Sequence, residues 1–173
     1  ETMLGAFDLT SDKDRVIRAL KIMSDKTGLY GMLGGQSVDV ENDGKEISRE
    51  MLDYIYEHKT SALIEASMMA GAILGGADEE RTAQIEKAAS AIGLAFQIQD
   101  DILDVTSTSQ ELGKPVHSDE KNNKVTYVTL FGVEKASEQV QKLSEQAEAV
   151  LEGLSSKNKF LTALVMEMAS RRK

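Results

Sequence analysis

Phe96-Gln97-Ile98-Gln99-Asp100-Asp101-Ile102-Leu103-Asp104 is the most unusual stretch of the chain, because it places three carboxylates and two amides in an otherwise apolar helix. Successive residues of an α-helix are about 100° apart, so Asp100 and Asp104 share one face and Gln97 borders it. Residues 91–96 are apolar on all sides, which predicts that the helix is buried. The three acids then fall near its C-terminus, where the helix dipole is already negative and the charges repel one another.

This repulsion has two interpretations. A hard cation such as Mg²⁺ would reverse it, because Mg²⁺ binds carboxylate oxygens and leaves its other positions to water and substrate phosphates. Paired acids on a helix are, however, usually a solvated face, and an Asp-Asp-x-x-Asp motif alone gives false positives. The apolar flanks favour the metal site, so Asp100, Asp101 and Asp104 are the candidate Mg²⁺ ligands.

Composition argues against several classes of function. The 173 residues carry 20 Lys and Arg against 29 Asp and Glu, a formal charge of -9, so we expect no nucleic-acid partner. With no Cys and two His, disulfide, thiolate and zinc chemistry are not expected. We expect a cytoplasmic location, with which the absence of Cys is compatible. No apolar run reaches the roughly 18 residues of a membrane span. The beginning Glu1-Thr2-Met3 is not typical of a natural start, so we expect a fragment.

The secondary structure is predicted to be all-α, since good helix formers are abundant and no alternating hairpin pattern is present. A short apolar segment over 125–131 is predicted to be buried, with a β-strand as the competing interpretation. A polar loop is predicted over 107–124. The predicted helices cover residues 13–26, 29–40, 49–57, 62–74, 79–106 and 133–151, with a last helix marked by Leu161, Leu164, Val165 and Met168.

The helix predicted over 29–40 contains three glycines, Gly31, Gly34 and Gly35. Each costs about 1 kcal/mol relative to Ala in a helix, so another requirement must favour them. Close approach of a neighbouring backbone or a ligand is one explanation, and a tightly packed helix crossing is the other. The sequence leaves both open.

Three lysines add a second kind of chemistry to the acidic stretch. Lys59 stands beside Thr60 where an apolar helix begins, and Lys114 and Lys124 flank the polar loop that follows the acids. Acids that bind Mg²⁺ and lysines around it are the groups needed to hold a diphosphate. For each lysine taken singly, a solvated surface charge is the favoured interpretation.

With these motifs in this order, the chain resembles the trans-isoprenyl diphosphate synthases of the farnesyl and geranylgeranyl type. The resemblance covers essentially the whole chain. It implies the C-terminal portion of an isoprenoid synthase helical bundle around a central cavity, a single domain over 1–173 that is incomplete at its N-terminus, and usually a homodimer. The matching stretches are Gly34-Gly35-Gln36 with Asp39, Lys59-Thr60, Phe96-Gln97, Asp100-Asp101-Ile102-Leu103-Asp104, Gly113-Lys114-Pro115, Asp119, and Lys124 with Thr126-Tyr127.

The resemblance also implies roles for single residues. The three aspartates would form the second aspartate-rich motif of the family and hold Mg²⁺ on the allylic diphosphate, with two or three ions in the complete enzyme. Thr60 and Gln97 would present oxygen dipoles to the developing allylic cation, and Phe96 would line the site of the second substrate, isopentenyl diphosphate. The remaining substrate-binding residues would be Gln36, Lys59, Lys114 and Lys124.

The expected function is chain elongation, in which isopentenyl diphosphate condenses with an allylic diphosphate, with farnesyl diphosphate as the expected product. The chain lacks the family's first aspartate-rich motif, so it should be weak or inactive alone, and a non-catalytic regulatory subunit is one alternative. A class I terpene cyclase is another, although four Tyr, four Phe and no Trp leave few aromatics to stabilise cyclising cations.

Two features depart from the family pattern or lack a secure place in it. His117 stands where a small residue is more usual. The basic tail Arg171-Arg172-Lys173 is predicted to be a frayed terminus, with capping of the isopentenyl diphosphate as the alternative.

Overall fold

The computed structural model describes residues 2–107, 124–154 and 158–171, and within them every regular element is a helix, which confirms the all-α prediction. None of these helices is both long and apolar enough to cross a bilayer. The elements are a 3₁₀-helix (Thr2–Gly5), α1 (Ala6–Leu9), α2 (Lys13–Thr27), α3 (Met32–Glu41), α4 (Arg49–Tyr56), a π-helix (Glu57–Ser61), α5 (Ala62–Leu74), α6 (Glu79–Thr106), α7 (Tyr127–Phe131), α8 (Val133–Gly153) and α9 (Lys159–Ser170).

Side-chain caps set the beginnings of several helices. Asp12, Ser48, Asp78 and Asn158 each accept a hydrogen bond from the backbone amide three residues further on. Such caps satisfy amides that have no partner inside the helix. The predicted beginnings at residues 13, 49 and 79 are therefore confirmed.

Two predictions about local structure need correction. The helix predicted from residue 29 begins at Met32, because residues 28–31 form a turn that places Gly31 against the carbonyl of Lys26. The segment over 125–131 is not a strand, and it is buried only at Thr126, since the helix α7 has no buried residue. A reciprocal capping box between Thr126 and Thr129 begins α7 and prevails over its β-branched composition. Of the predicted loop over 107–124, residues 108–123 lie outside the described part of the chain.

Helix α6 runs through the middle of the fold, with α5 and α8 packed along it. Ala95, Ile98 and Ile102 of α6 join the buried cluster formed with α4 and α8. Further up the same helix, Ile85 and Ile92 belong to a second cluster with α5, α8 and α9. Because apolar side chains on several faces are buried, the acidic end of α6 is fixed in position.

A partly buried ion cluster joins three helices. The ammonium of Lys26 on α2 lies 2.5 Å from the carboxylate of Glu65 on α5 and 2.6 Å from that of Glu86 on α6. Burial by itself would lower the pKa of Lys26, but the hydrogen bonds to the two glutamates outweigh burial and raise it. The lysine is therefore charged at neutral pH and compensates a glutamate that is largely removed from water.

We expect Lys26→Met to lower the free energy of unfolding by about 3 kcal/mol, because it leaves the buried Glu65 without its cation. Urea denaturation measures the change, and Lys21→Met, an exposed lysine on the same helix, is the matched control at about 0.5 kcal/mol or less. Since the pKa of Lys26 is raised, its contribution is complete below the ordinary lysine pKa and disappears as the pH rises through the raised value. Equal effects of the two substitutions would contradict the partly buried cluster.

Candidate functional site

The candidate site begins at the π-helix Glu57–Ser61, which carries both Lys59 and Thr60. A π-turn holds one more residue than an α-turn, and such turns are frequent at functional sites. The two side chains contact different neighbours, since Lys59 reaches α3 and Thr60 reaches α6. The π-helix therefore lies between the two helices that bear the other predicted site residues.

Asp39 on α3 brings two of the predicted substrate-binding lysines together. The ammonium of Lys59 donates to Asp39 Oδ2 at 2.6 Å, and that of Lys124 lies 3.4 Å from Oδ1. The Asp39 side chain is only 12% exposed, while both lysine side chains are 34% exposed. Asp39 belongs to the matching stretch Gly34-Gly35-Gln36 with Asp39, but the sequence alone assigned it no role.

The charges around Asp39 decide its ionisation. Burial alone would raise its pKa, yet the hydrogen bond from Lys59 and the charge of Lys124 outweigh burial and hold the pKa below its ordinary value. Asp39 is therefore ionised at neutral pH.

Thr60 and Gln97 are also brought together, as their predicted common role requires. Thr60 Oγ1 donates to Gln97 Oε1 at 2.7 Å, which fixes the orientation of the amide. Gln97 lies on α6 three residues before Asp100, so this contact links the π-helix to the acidic stretch. Two other predicted site residues, Gln36 on α3 and Phe96 on α6, are half-buried. Gln36 precedes Asp39 by three residues, and Phe96 directly precedes Gln97.

Asp101 connects the acidic stretch to two other helices. Its Oδ2 accepts hydrogen bonds from the hydroxyl of Tyr56 at 2.5 Å and from the backbone amide of Tyr127 at 3.0 Å. Asp101 is 4% exposed, so both bonds are shielded from water. Sequence reasoning missed Tyr56, although a tyrosine on an apolar helix face signals a hydroxyl that needs a buried partner.

Asp100 is paired with the C-terminal region. The guanidinium of Arg171 lies 3.1 Å from Asp100 Oδ1 and 3.9 Å from the centre of the Phe96 ring. Gln99 Nε2 also donates to the backbone carbonyl of Arg171 at 3.1 Å. The prediction of a frayed basic tail is therefore wrong for Arg171, because α6 offers it a carboxylate and an aromatic face one turn apart.

The three aspartates have different environments. The Asp100 side chain is 38% exposed, whereas Asp101 and Asp104 are each 4% exposed. Within the described residues, no three Asp, Glu, His or Cys side chains are grouped as metal ligands. A site with three aspartate ligands therefore stays a prediction, and the carboxylate most open to a cation is that of Asp100. Lys114, His117, Asp119, Arg172 and Lys173 lie outside the described residues.

Taken together, the contacts form a closed path that we call the polar circuit. It runs from α3 to the π-helix, on to α6, across to the start of α7, and back to α3. Its members are Asp39, Lys59, Thr60, Gln97, Asp101, Tyr127 and Lys124.

Comparison with known proteins identifies the family of the chain. The model of the polyprenyl synthetase family matches residues 3–164. Geranylgeranyl pyrophosphate synthase 4 of Arabidopsis thaliana is 41% identical over 168 residues, which cover 95% of this chain and 45% of that protein. Farnesyl diphosphate synthase of Geobacillus stearothermophilus is 41% identical over 124 residues, covering 72% and 42% respectively.

A solved structure has a similar fold. The geranyltransferase of Helicobacter pylori, complexed with magnesium and isoprenyl diphosphate, superposes with a TM-score of 0.78 at 30% sequence identity. The superposition covers 97% of this chain and 55% of that one, so the chain spans about half the length of the proteins it matches. Because the family model matches nearly all of its residues, the chain belongs to the polyprenyl synthetase family, that is, to the trans-isoprenyl diphosphate synthases.

Proposed function

We propose that the protein is a chain-elongating prenyltransferase, which condenses isopentenyl diphosphate with an allylic diphosphate. The observation that carries the proposal is the convergence of Lys59 and Lys124 on the single carboxylate of Asp39. Two ammonium groups that contact one carboxylate are close enough together to bind one diphosphate group. Thr60, which is hydrogen-bonded to Gln97 of α6, directly follows Lys59 on the π-helix.

In this proposal the lysines act on the leaving group. Lys59, Lys124 and Lys114 bind the allylic diphosphate and stabilise its negative charge as the allylic C–O bond breaks. The oxygens of Thr60 and Gln97 stabilise the resulting allylic cation, and Phe96 and Gln36 help to position the substrates. The double bond of isopentenyl diphosphate attacks the cation to form the new C–C bond. A proton then passes to the released diphosphate, so the reaction needs no base from the protein.

The acidic stretch fits a magnesium requirement. Mg²⁺ binds through one or two carboxylates, several waters and substrate phosphates, so it does not need three converging aspartates. Asp100 has an accessible carboxylate that already pairs with a cation, Arg171, and Asp101 and Asp104 follow it on α6. When bound by these residues, two or three Mg²⁺ ions would supply the positive charge that favours departure of diphosphate. The magnesium in the Helicobacter pylori structure supports this part of the proposal.

The proposal extends to the product, the assembly and the location. We propose farnesyl diphosphate as the product, with the name of the Geobacillus relative as support. Geranylgeranyl diphosphate is the alternative that the Arabidopsis relative supports equally. Mass spectrometry of the products formed from isopentenyl and geranyl diphosphates would decide between them. We further propose that the enzyme is a homodimer, which sedimentation equilibrium would test. Its proposed location is the cytoplasm.

Magnesium-dependent prenyl transfer, assayed in a protein extended to include the family's first aspartate-rich motif, is the first expected outcome. Removal of Mg²⁺ with EDTA should abolish product formation, and Asp100→Ala should lower kcat at least about a hundredfold, because the carboxylate most open to the metal is lost. Asp14→Ala, at an exposed position on α2, is the control and should leave kcat unchanged. Full activity in EDTA, or in the Asp100→Ala variant, would rule out the proposed reaction.

The second expected outcome concerns Asp39. Asp39→Asn should lower kcat about tenfold to a hundredfold, because the two lysines lose the carboxylate that holds them in place. The KM for the allylic diphosphate should not rise, since both lysines remain available to the anion. Asp43→Asn, in the turn that follows α3, is the matched exposed control.

The contact between Asp39 and Lys59 also depends on pH. Because the pKa of Asp39 is lowered, its pairing with Lys59 is present above the ordinary aspartate pKa and disappears only as the pH falls through the lowered value.

Steady-state kinetics of the Asp39→Asn and Asp43→Asn variants tests the role of Asp39. An unchanged kcat for Asp39→Asn would show that the lysines do not depend on it.

A further inference from the structure

We propose that Gly35 and Gly93 are positioning residues, which hold the π-helix at the distance from α3 and α6 that places Lys59 and Thr60. This inference rests on the proposed function for its consequence in catalysis. The contacts themselves are properties of the fold.

On the α3 side, the backbone of the π-helix lies directly against Gly35. A Cβ atom at this position would lie 2.6 Å from the backbone nitrogen of Lys59 and 2.7 Å from the carbonyl carbon of His58. These are main-chain atoms, so a side chain cannot simply rotate away to make room. Any residue larger than glycine would push α3 away from Lys59.

On the α6 side, Gly93 makes the corresponding contact with Ser61. A Cβ atom at Gly93 would lie 2.4 Å from Ser61 Cα and 2.5 Å from Ser61 Oγ. Ser61 is fully buried, and among the described residues its hydroxyl has no hydrogen-bond partner. A buried hydroxyl without a partner is unfavourable, so close packing at this contact takes precedence over polar satisfaction.

The two glycines share a sequence relation to the site. Gly35 precedes Asp39 by four residues on α3, and Gly93 precedes Gln97 by four residues on α6. Residues four apart lie on the same face of a helix. Each helix therefore contacts the π-helix twice from one face, once through the glycine against its backbone and once through a polar side chain bonded to Lys59 or Thr60.

Glycine inside a helix is less stable than alanine, so both positions forgo helix stability for this close approach. Gly71 on α5 provides the matched comparison, because nothing lies within 4 Å of the Cβ that alanine would add there. Alanine at Gly71 should therefore raise the melting temperature and leave the site unchanged. At Gly35 and Gly93 the contact should outweigh the gain in propensity.

The test compares Gly35→Ala and Gly93→Ala with the control Gly71→Ala. In the two test variants we expect kcat to fall at least about thirtyfold while the KM for isopentenyl diphosphate changes less than about threefold, because displacement of about 1 Å misaligns groups that act on the allylic substrate. Hydrogen–deuterium exchange of the amides over 57–61 should become faster. The control should keep kcat within about twofold and leave this exchange unchanged, since it adds no atom at either contact.

Folded Gly35→Ala and Gly93→Ala proteins with wild-type kcat and wild-type exchange over 57–61 would overturn the inference. If Gly93→Ala does not fold, Gly35→Ala decides. If neither folds, exchange in the wild-type protein decides, because held backbone amides open only with the whole fold and a rapid local opening over 57–61 would contradict the proposal. If a protein extended to include the family's first aspartate-rich motif transfers no prenyl group, the proposed function fails, and the exchange data alone still judge the two glycines.

Discussion

Lys59 and Lys124 come from distant parts of the sequence, carry the same charge, and lie against one half-buried carboxylate, that of Asp39. Like charges this close repel unless an anion lies between them, so Asp39 is the condition for the whole arrangement. The other contacts of the polar circuit extend from these two ion pairs of Asp39. Lys59 fixes one side of the π-helix, Thr60 fixes the other side through Gln97, and Lys124 holds the chain just before α7.

The environment also separates three aspartates that the sequence presents as equivalent. Asp101 is used within the protein, since one of its oxygens joins α6 to Tyr56 and to the first amide of α7. Asp100 points to a more open place, where Arg171 supplies the neutralising charge. A residue's position in a motif therefore says less about its role than the groups that surround it. In the proposed enzyme, Asp100 offers the most open carboxylate to the metal, and Asp101 also keeps the adjacent helices in register.

The sequence predicted most of the helices, because their caps are local and their apolar residues repeat with the helical period. It did not predict the π-helix, because an inserted residue leaves no periodic signal in a segment of five residues. The burial assigned to α7 was wrong, because apolar composition cannot show which helix faces meet a neighbour. The family resemblance paired Thr60 with Gln97 in one role. Asp39 and Tyr56 received no role, because no pattern in the sequence identifies the partners that they contact at least 20 residues away. Within α3, Gly35 lies against the backbone of the π-helix, which is the close approach of a neighbouring backbone that the sequence offered as one explanation for the glycines.

The most direct measurement is a crystal structure of the protein with Mg²⁺ and a non-reactive thio analogue of geranyl diphosphate. The account predicts that the ammonium nitrogens of Lys59 and Lys124 both lie within hydrogen-bond distance of the same diphosphate group, with Asp39 still in contact with at least one of them. A diphosphate bound elsewhere, or either lysine directed into bulk solvent while the ligand is bound, would contradict it.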